Sequence, residues 1–250
     1  MKLADSKLIY NLLEELGISK ENILYHISDE PSLDHLEQYR KAREQIADLL
    51  DGYVVMDALS NFEFYKTGAL TTPIPANDHI TPFLEANIDG LWTYYCCSQN
   101  KSVSNRFFGS PGARTRYIGV QFYRYKISGF LQWGYNFYNN QGSYDSINPF
   151  ADSTGNYFVP SGDTYSVYPA QDGTALESMR ILQFREGLDD MRALYLAESL
   201  VGREKVLEVI EPIVKEMTGE NIVFSRCIDR SSDMMKLREK IDELVINALN

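Results

Sequence analysis

Asp29 and Glu30 are adjacent carboxylates that follow an apolar run over residues 23–27 and precede Pro31. Where a strand breaks into a loop, neighbouring side chains reach one cavity. A protonated Glu beside an ionised Asp is then the pair that general acid work on a glycosidic oxygen needs. The same residues have a plainer reading, in which Asp29 caps the following helix and Glu30 is solvated. The two residues alone leave both readings open.

Polar and aromatic groups recur after the later apolar runs. Asp57 with Ser60 and Asn61 follows the second, and Asn77, Asp78 and His79 follow the third. The fourth carries Trp92, Tyr94 and Tyr95 and leads to Gln99 and Asn100, while Trp133, Tyr135 and Asn136 close the fifth. Carboxylates, amides and aromatic rings with few cations suit a neutral polyol ring, whose C–H face stacks on the aromatics while its hydroxyls meet the polar groups. The sequence has no glycine-rich or cationic cradle for a phosphorylated substrate. Asp57 has two readings, substrate contact or turn cap. His26 reads as a satisfied core residue and His79 as a loop residue within reach of the cleft. The histidines have no ligand-like spacing with Cys96, Cys97 and Cys227, so neither a metal nor another cofactor is expected. Cys96 reads as strand packing rather than as a nucleophile.

The elements that carry these residues alternate. Leu8, Ile9, Leu12, Leu13 and Leu16 predict a helix over 6–16, stopped by Gly17. Strands are predicted over 23–28, 53–59, 70–74, 90–97 and 129–135, and helices over 32–50, 61–66 and 112–126, with a helical turn or loop over 80–87. Strand–helix alternation at this spacing means parallel βαβ units, and ligands of such sheets bind beyond the carboxyl ends of the strands. Residues 136–172 read as one long loop rich in Asn, Gly, Ser and Tyr, a length usually reserved for function. Helices follow over 176–200, 203–218 and 233–249. The 250 residues match the usual length of an eight-stranded α/β barrel, but five strands do not close one.

Charge narrows the partners. Lys and Arg total 24 against 35 Asp and Glu, a net charge of -11, which repels nucleic-acid backbones and anionic lipid surfaces. No apolar run is long enough for a membrane span. The polar N-terminus is no secretory signal, so the chain as written is expected in the cytoplasm, or secreted if its N-terminus is truncated.

Several segments share one known pattern. Ile27-Ser28-Asp29-Glu30-Pro31, the run from Gly129 to Asn136 with Trp133 at its centre, and the run from Gly162 to Pro169 occur in this order. Ser178-Met179-Arg180-Ile181 and Arg185-Glu186-Gly187-Leu188-Asp189-Asp190 follow. Together they resemble glycoside hydrolase family 123, the β-N-acetylgalactosaminidases and their relatives, over about residues 10–200. The resemblance implies an α/β fold, a partial (β/α)8 TIM barrel comprising about its second half, strands 4–8. Residues 1–172 would be the partial barrel and 173–250 a helical extension packed on it. It also implies a retaining, substrate-assisted mechanism acting on a terminal β-linked N-acetylhexosamine, with N-acetylgalactosamine expected. Asp29 would orient the acetamide of the sugar and Glu30 would protonate the leaving oxygen. Trp133 and Tyr135 would form a sugar-binding wall, and Tyr94 or Tyr95 would reach the acetamide oxygen. Asp57, His79, Trp92 and Asn136 complete the expected contacts. Asp163, Tyr168 and Arg180 would pin the long loop to the final helix, with Glu186 and Asp190 as ionic partners.

The sequence departs from that family in one respect. The Asp-Glu pair ends the first strand here and the fourth in the family, which also carries an N-terminal β-rich domain. An open half-barrel exposes sheet edges, so a homodimer partner or a further N-terminal segment is expected to cover them. The alternative to a hydrolase is a non-catalytic carbohydrate-binding or structural remnant.

Overall fold

The computed structural model describes residues 10–219 and 223–250, and its packing divides the chain between Thr93 and Tyr94. In the first unit residues 10–15 are helical; the first residues of the helix expected over 6–16 lie outside the described residues. Strand β1 (Leu24–Tyr25) is followed by a 3-10 turn, Leu33–His35, that runs into helix α1 (Leu36–Gln45). The helix expected over 32–50 is broken at Ile46, with a further turn at Ala47–Leu50. Strands β2 (Val54–Ala58) and β3 (Thr72–Ile74) complete a three-stranded parallel sheet in the order β1-β2-β3. Leu24 lies opposite Val54, and Met56 opposite Thr72.

Only two residues of the strand expected over 23–28 join the ladder. The amides of Ile27 and Ser28 turn to the Asp57 side chain instead of to a neighbouring strand. Tyr39, Leu50, Val55, Leu59, Phe64 and Leu70 form the core beneath this sheet. One-turn helices at Glu63–Lys66 and Thr81–Glu85 follow, and β4 (Trp92–Tyr94) carries the chain across the division.

The second unit is mostly helical. The helix expected over 112–126 forms as α2 (Gly112–Arg116) and α3 (Ile118–Tyr125), ending at Lys126 in the left-handed region. After β5 (Gly129–Leu131) and the long loop, β6 (Val167–Pro169) pairs antiparallel with β7 (Ala175–Glu177). Leu176, expected to open a helix, therefore lies in a strand. Helix α4 (Met179–Val201) starts after the Ser178 cap, whose hydroxyl accepts from the Ile181 amide at 3.3 Å. Helices α5 (Arg203–Thr218) and α6 (Ser231–Leu249) finish the chain.

Tyr117, Val120 and Tyr123 share one apolar core with Leu194, Ala197, Val206, Ile210, Met234, Leu237 and Ile241. The backbone of α4 approaches that of α3 at Gly119 and that of α2 at Gly187 so closely that neither glycine has room for a Cβ. Asp190, buried on α4, accepts two hydrogen bonds from Arg116, at 2.6 and 2.8 Å, and one from Arg238 at 3.1 Å. Arg116 Nη1 lies 4.0 Å from Glu186. Residues on both sides of position 172 thus build one core, and the division falls near residue 93. A change in composition marks where the long loop ends, but it carries no information about which distant segments pack together.

Candidate active site

The candidate pair sits where β1 ends. Asp57, the penultimate residue of β2, is completely buried. Its Oδ1 accepts from the amides of Ile27 at 2.7 Å and Ser28 at 3.1 Å, and its Oδ2 accepts the Tyr39 hydroxyl at 2.5 Å. His26 Nδ1 lies 2.9 Å from Asp57 Oδ1 and 3.2 Å from the Met56 carbonyl. Burial pushes the Asp57 carboxyl up, but the donors from His26, Tyr39 and the two amides outweigh it and hold it below the usual carboxylate range. The hydrogen bond to Asp57 raises His26 to about 9 against the opposing cost of its partial burial. Burial and the bond to Asp57 raise the Tyr39 hydroxyl as well.

This arrangement corrects the reading of His26 as a core residue. Its side chain is 48% exposed and lies beyond the strand, because the turn toward Asp57 carries the ring out of the sheet. Asp57, for its part, faces the turn and α1 rather than solvent.

Asp29 and Glu30 follow, both exposed. Asp29 does not cap the next helix, which opens at Ser32; its Oδ1 lies 3.9 Å from His26 Nε2. Glu30 donates its amide to the Ala58 carbonyl at 2.8 Å, so the turn is stitched to the end of β2. Its φ of 45 lies in the left-handed region, which a side chain enters at a cost of about 1–2 kcal/mol. A residue before proline ordinarily stays extended. Such outliers persist where the surroundings over-determine them, often at functional positions. The pair lines a cleft of about 400 Å³ together with Ser28, His35, Gln38 and Tyr39.

The other expected contacts of the first unit lie apart from this turn in the chain. His79 is exposed, with Nδ1 2.7 Å from Asp78 Oδ1, and Trp92 is half-buried on β4. In the second unit, Tyr94 is buried and Tyr135 is exposed. Asn136 bridges to Tyr165. The Trp133 indole donates to Asp163 Oδ2 at 3.2 Å and packs edge-on to Phe158 at 6.2 Å between ring centres.

Sequence reasoning missed Arg106. Almost fully buried, it stands 5.2 Å from the Tyr95 ring centre, donates to the Trp133 carbonyl at 3.0 Å and lies 3.3 Å from Asp163 Oδ1. Burial pushes the Asp163 carboxyl up, opposed by Arg106 and by the Trp133 N–H. Arg106 belongs to a stretch with Arg114, Arg116 and Arg124 that reads as one helix face, and nothing in the spacing sets it apart. Arg180 donates to the carbonyls of Gly162 and Tyr165 and stacks on Phe108 at 4.5 Å, which fastens the long loop to α4.

The glycoside hydrolase 123 catalytic domain matches residues 7–197. The chain belongs to glycoside hydrolase family 123. Among solved structures, a family 123 glycoside hydrolase from Clostridium perfringens, described for glycolipid glycan hydrolysis, matches with a TM-score of 0.61 and 19% identity. The match covers 98% of this family 123 chain and 44% of the other, so this chain spans less than half that neighbour's length. The likeness establishes a mixed α/β fold shared with the family. No curated protein matches the chain. Among the described residues no helix is long and apolar enough to cross a membrane, and no group of three or more His, Cys, Asp or Glu is placed to hold a metal ion.

Proposed function

We propose that this family 123 chain is a glycosidase that releases terminal β-linked N-acetylhexosamine, N-acetylgalactosamine first, by a retaining mechanism assisted by the substrate. The observation that carries the reading is the Asp29–Glu30 turn. Two carboxylates stand at the carboxyl end of a parallel strand, lining a cleft, with Glu30 held in the left-handed region. In this reading the acetamido oxygen of the sugar bonds to the anomeric carbon as the glycosidic bond breaks. Glu30 gives its proton to the departing oxygen, then takes one from the water that reopens the ring intermediate, while Asp29 accepts the acetamide N–H. No carboxylate of the protein bonds to the sugar.

Asp57 drops out of the direct contacts because it is buried. Tyr94 is buried too and drops out with it. His79 and Trp92 are proposed as sugar contacts of the first unit on their residue types, and Trp133, Tyr135 and Asn136 as sugar-binding groups of the second unit by itself. The parallel order β1-β2-β3 is the order of successive strands in a (β/α)8 barrel, and we take the chain as part of one. An N-terminal segment or a second copy of the chain is the proposed cover for the open sheet edge.

The test is release of the aryl group from an aryl 2-acetamido-2-deoxy-β-galactoside, with the anomer formed followed by proton NMR. The parent chain is expected to turn over with retention, and Glu30→Gln to slow it roughly 10²- to 10⁴-fold. A folded chain that neither turns over this substrate nor binds N-acetylgalactosamine by calorimetry ends the proposal. Binding without turnover leaves a carbohydrate-binding protein.

A further inference from the structure

We infer that Asp57 is a positioning residue for the Asp29–Glu30 pair, acting through His26 and through the backbone of the turn between them. The inference rests on the reading of that pair as the reacting carboxylates. Asp57 itself is sealed from solvent and cannot touch a sugar. Its two oxygens are committed to the segment that separates β1 from the pair: the amides of Ile27 and Ser28, the ring of His26, and behind them Tyr39 of α1. Each residue from 26 to 28 is therefore tied to one buried carboxylate.

His26 relays that charge outward. Its Nδ1 faces Asp57 while its Nε2 is the nitrogen nearest Asp29, at 3.9 Å. A buried anion that keeps the imidazole protonated also keeps a cation 3.9 Å from the side chain that must accept the acetamide N–H. The titratable groups around the ring are Asp57 from β2 and Asp29 from the turn. Tyr39 lies on the far side of Asp57, with Arg43 of the same helix acting on it. The Met56 carbonyl shares the Nδ1 proton.

Asp57→Asn separates a positioning role from a merely structural one. The asparagine oxygen still accepts the two amides and its nitrogen meets the Tyr39 hydroxyl, so the turn is retained and only the charge is lost. On the aryl substrate, kcat is expected to fall roughly 10- to 100-fold with KM within about twofold. His26→Gln, which removes the cation, should lower kcat by a similar factor, and Asp57→Asn should bring the His26 titration down from about 9 toward about 6.5, the ordinary value of a histidine. A loss of folded protein with kcat unchanged in the folded fraction overturns the inference.

Proton NMR of the imidazoles, with His26 assigned from His26→Gln, supplies a readout that needs no activity. Its titration should fall in both Asp57→Asn and Asp29→Asn; an unmoved titration in either overturns the relay. If the parent chain proves inactive, the proposed function fails, and the NMR titrations alone decide the Asp57–His26–Asp29 linkage.

Discussion

A methyl group on Gly119 would lie 1.8 Å from the carbonyl oxygen of Gly187, and one on Gly187 would lie 2.4 Å from the carbonyl oxygen of Arg116. The crossing of α2 and α3 with α4 therefore brings backbone against backbone. Atoms of the main chain cannot step aside as a side chain does, so Gly119→Ala and Gly187→Ala should each destabilise by about 3 kcal/mol, the upper end for overpacking. Gly109 is the control, because a methyl group there would meet nothing within 4 Å: Gly109→Ala should stay within about 0.5 kcal/mol. Urea unfolding of the three variants checks this, and equal midpoints would refute the close crossing.

Breaking the ion cluster on α4 should cost more. Asp190 is buried with two arginines on it, and removing one partner of a buried pair leaves charge uncompensated at about 3–5 kcal/mol. Asp190→Ala is expected in that range and Arg238→Ala well below it, since Arg238 is a third exposed. Denaturant midpoints in this order support the cluster; the reverse order would contradict it.

Backbone strain at Glu30 is separable from its chemistry. Both Glu30→Ala and Glu30→Gly remove the carboxyl, but only glycine enters φ 45 freely. The glycine variant should be the more stable of the two by about 1 kcal/mol, although both should be inactive. Thermal unfolding that ranks alanine above glycine would show the turn to be relaxed.

His26 gives stability a defined pH dependence. Its folded value, about 9, exceeds the ordinary 6.5. The folded state therefore holds its proton more tightly than the unfolded chain, and the contribution is whole below about 6.5 and lost as pH rises through about 9. Asp57 acts at the other end: its value is lowered, so its contribution is present above the ordinary carboxylate range and lost on acidification. Between about pH 6 and 10, unfolding free energy should decline in the parent and decline less in His26→Gln. Parallel curves would exclude His26 as the source.

Much of the architecture is legible along the chain because it is local. The apolar run of β2 and the helical periodicity of α4 to α6 follow from side-chain spacing, while the start of α4 at Ser178 rather than Leu176 does not. Asp29 and Glu30 stand out for the same reason, as two carboxylates at the end of an apolar run. The partners of Asp57 could not be read this way. Tyr39 is one of the 17 tyrosines of the chain, and His26 sits in a stretch whose apolar neighbours suggest a continuing strand. Only the fold shows that a buried carboxylate ends that strand early. Arg106 is hidden for a similar reason: its meaning lies in Trp133 and Asp163, tens of residues away. The division near residue 93 is equally non-local, since it depends on α2 and α3 packing against α4.

The family match ends at residue 197, and that residue is one of the core alanines of α4. A chain cut there would lose Val206, Ile210, Met234, Leu237 and Ile241, the apolar side chains that cover Leu194 and Ala197, along with Arg238. The segment that carries the family's signature and the segment that folds are thus not the same length. Any exchange of this domain between proteins, by recombination or by design, has to carry the two C-terminal helices as passengers, because they keep water off the apolar face of the inherited part.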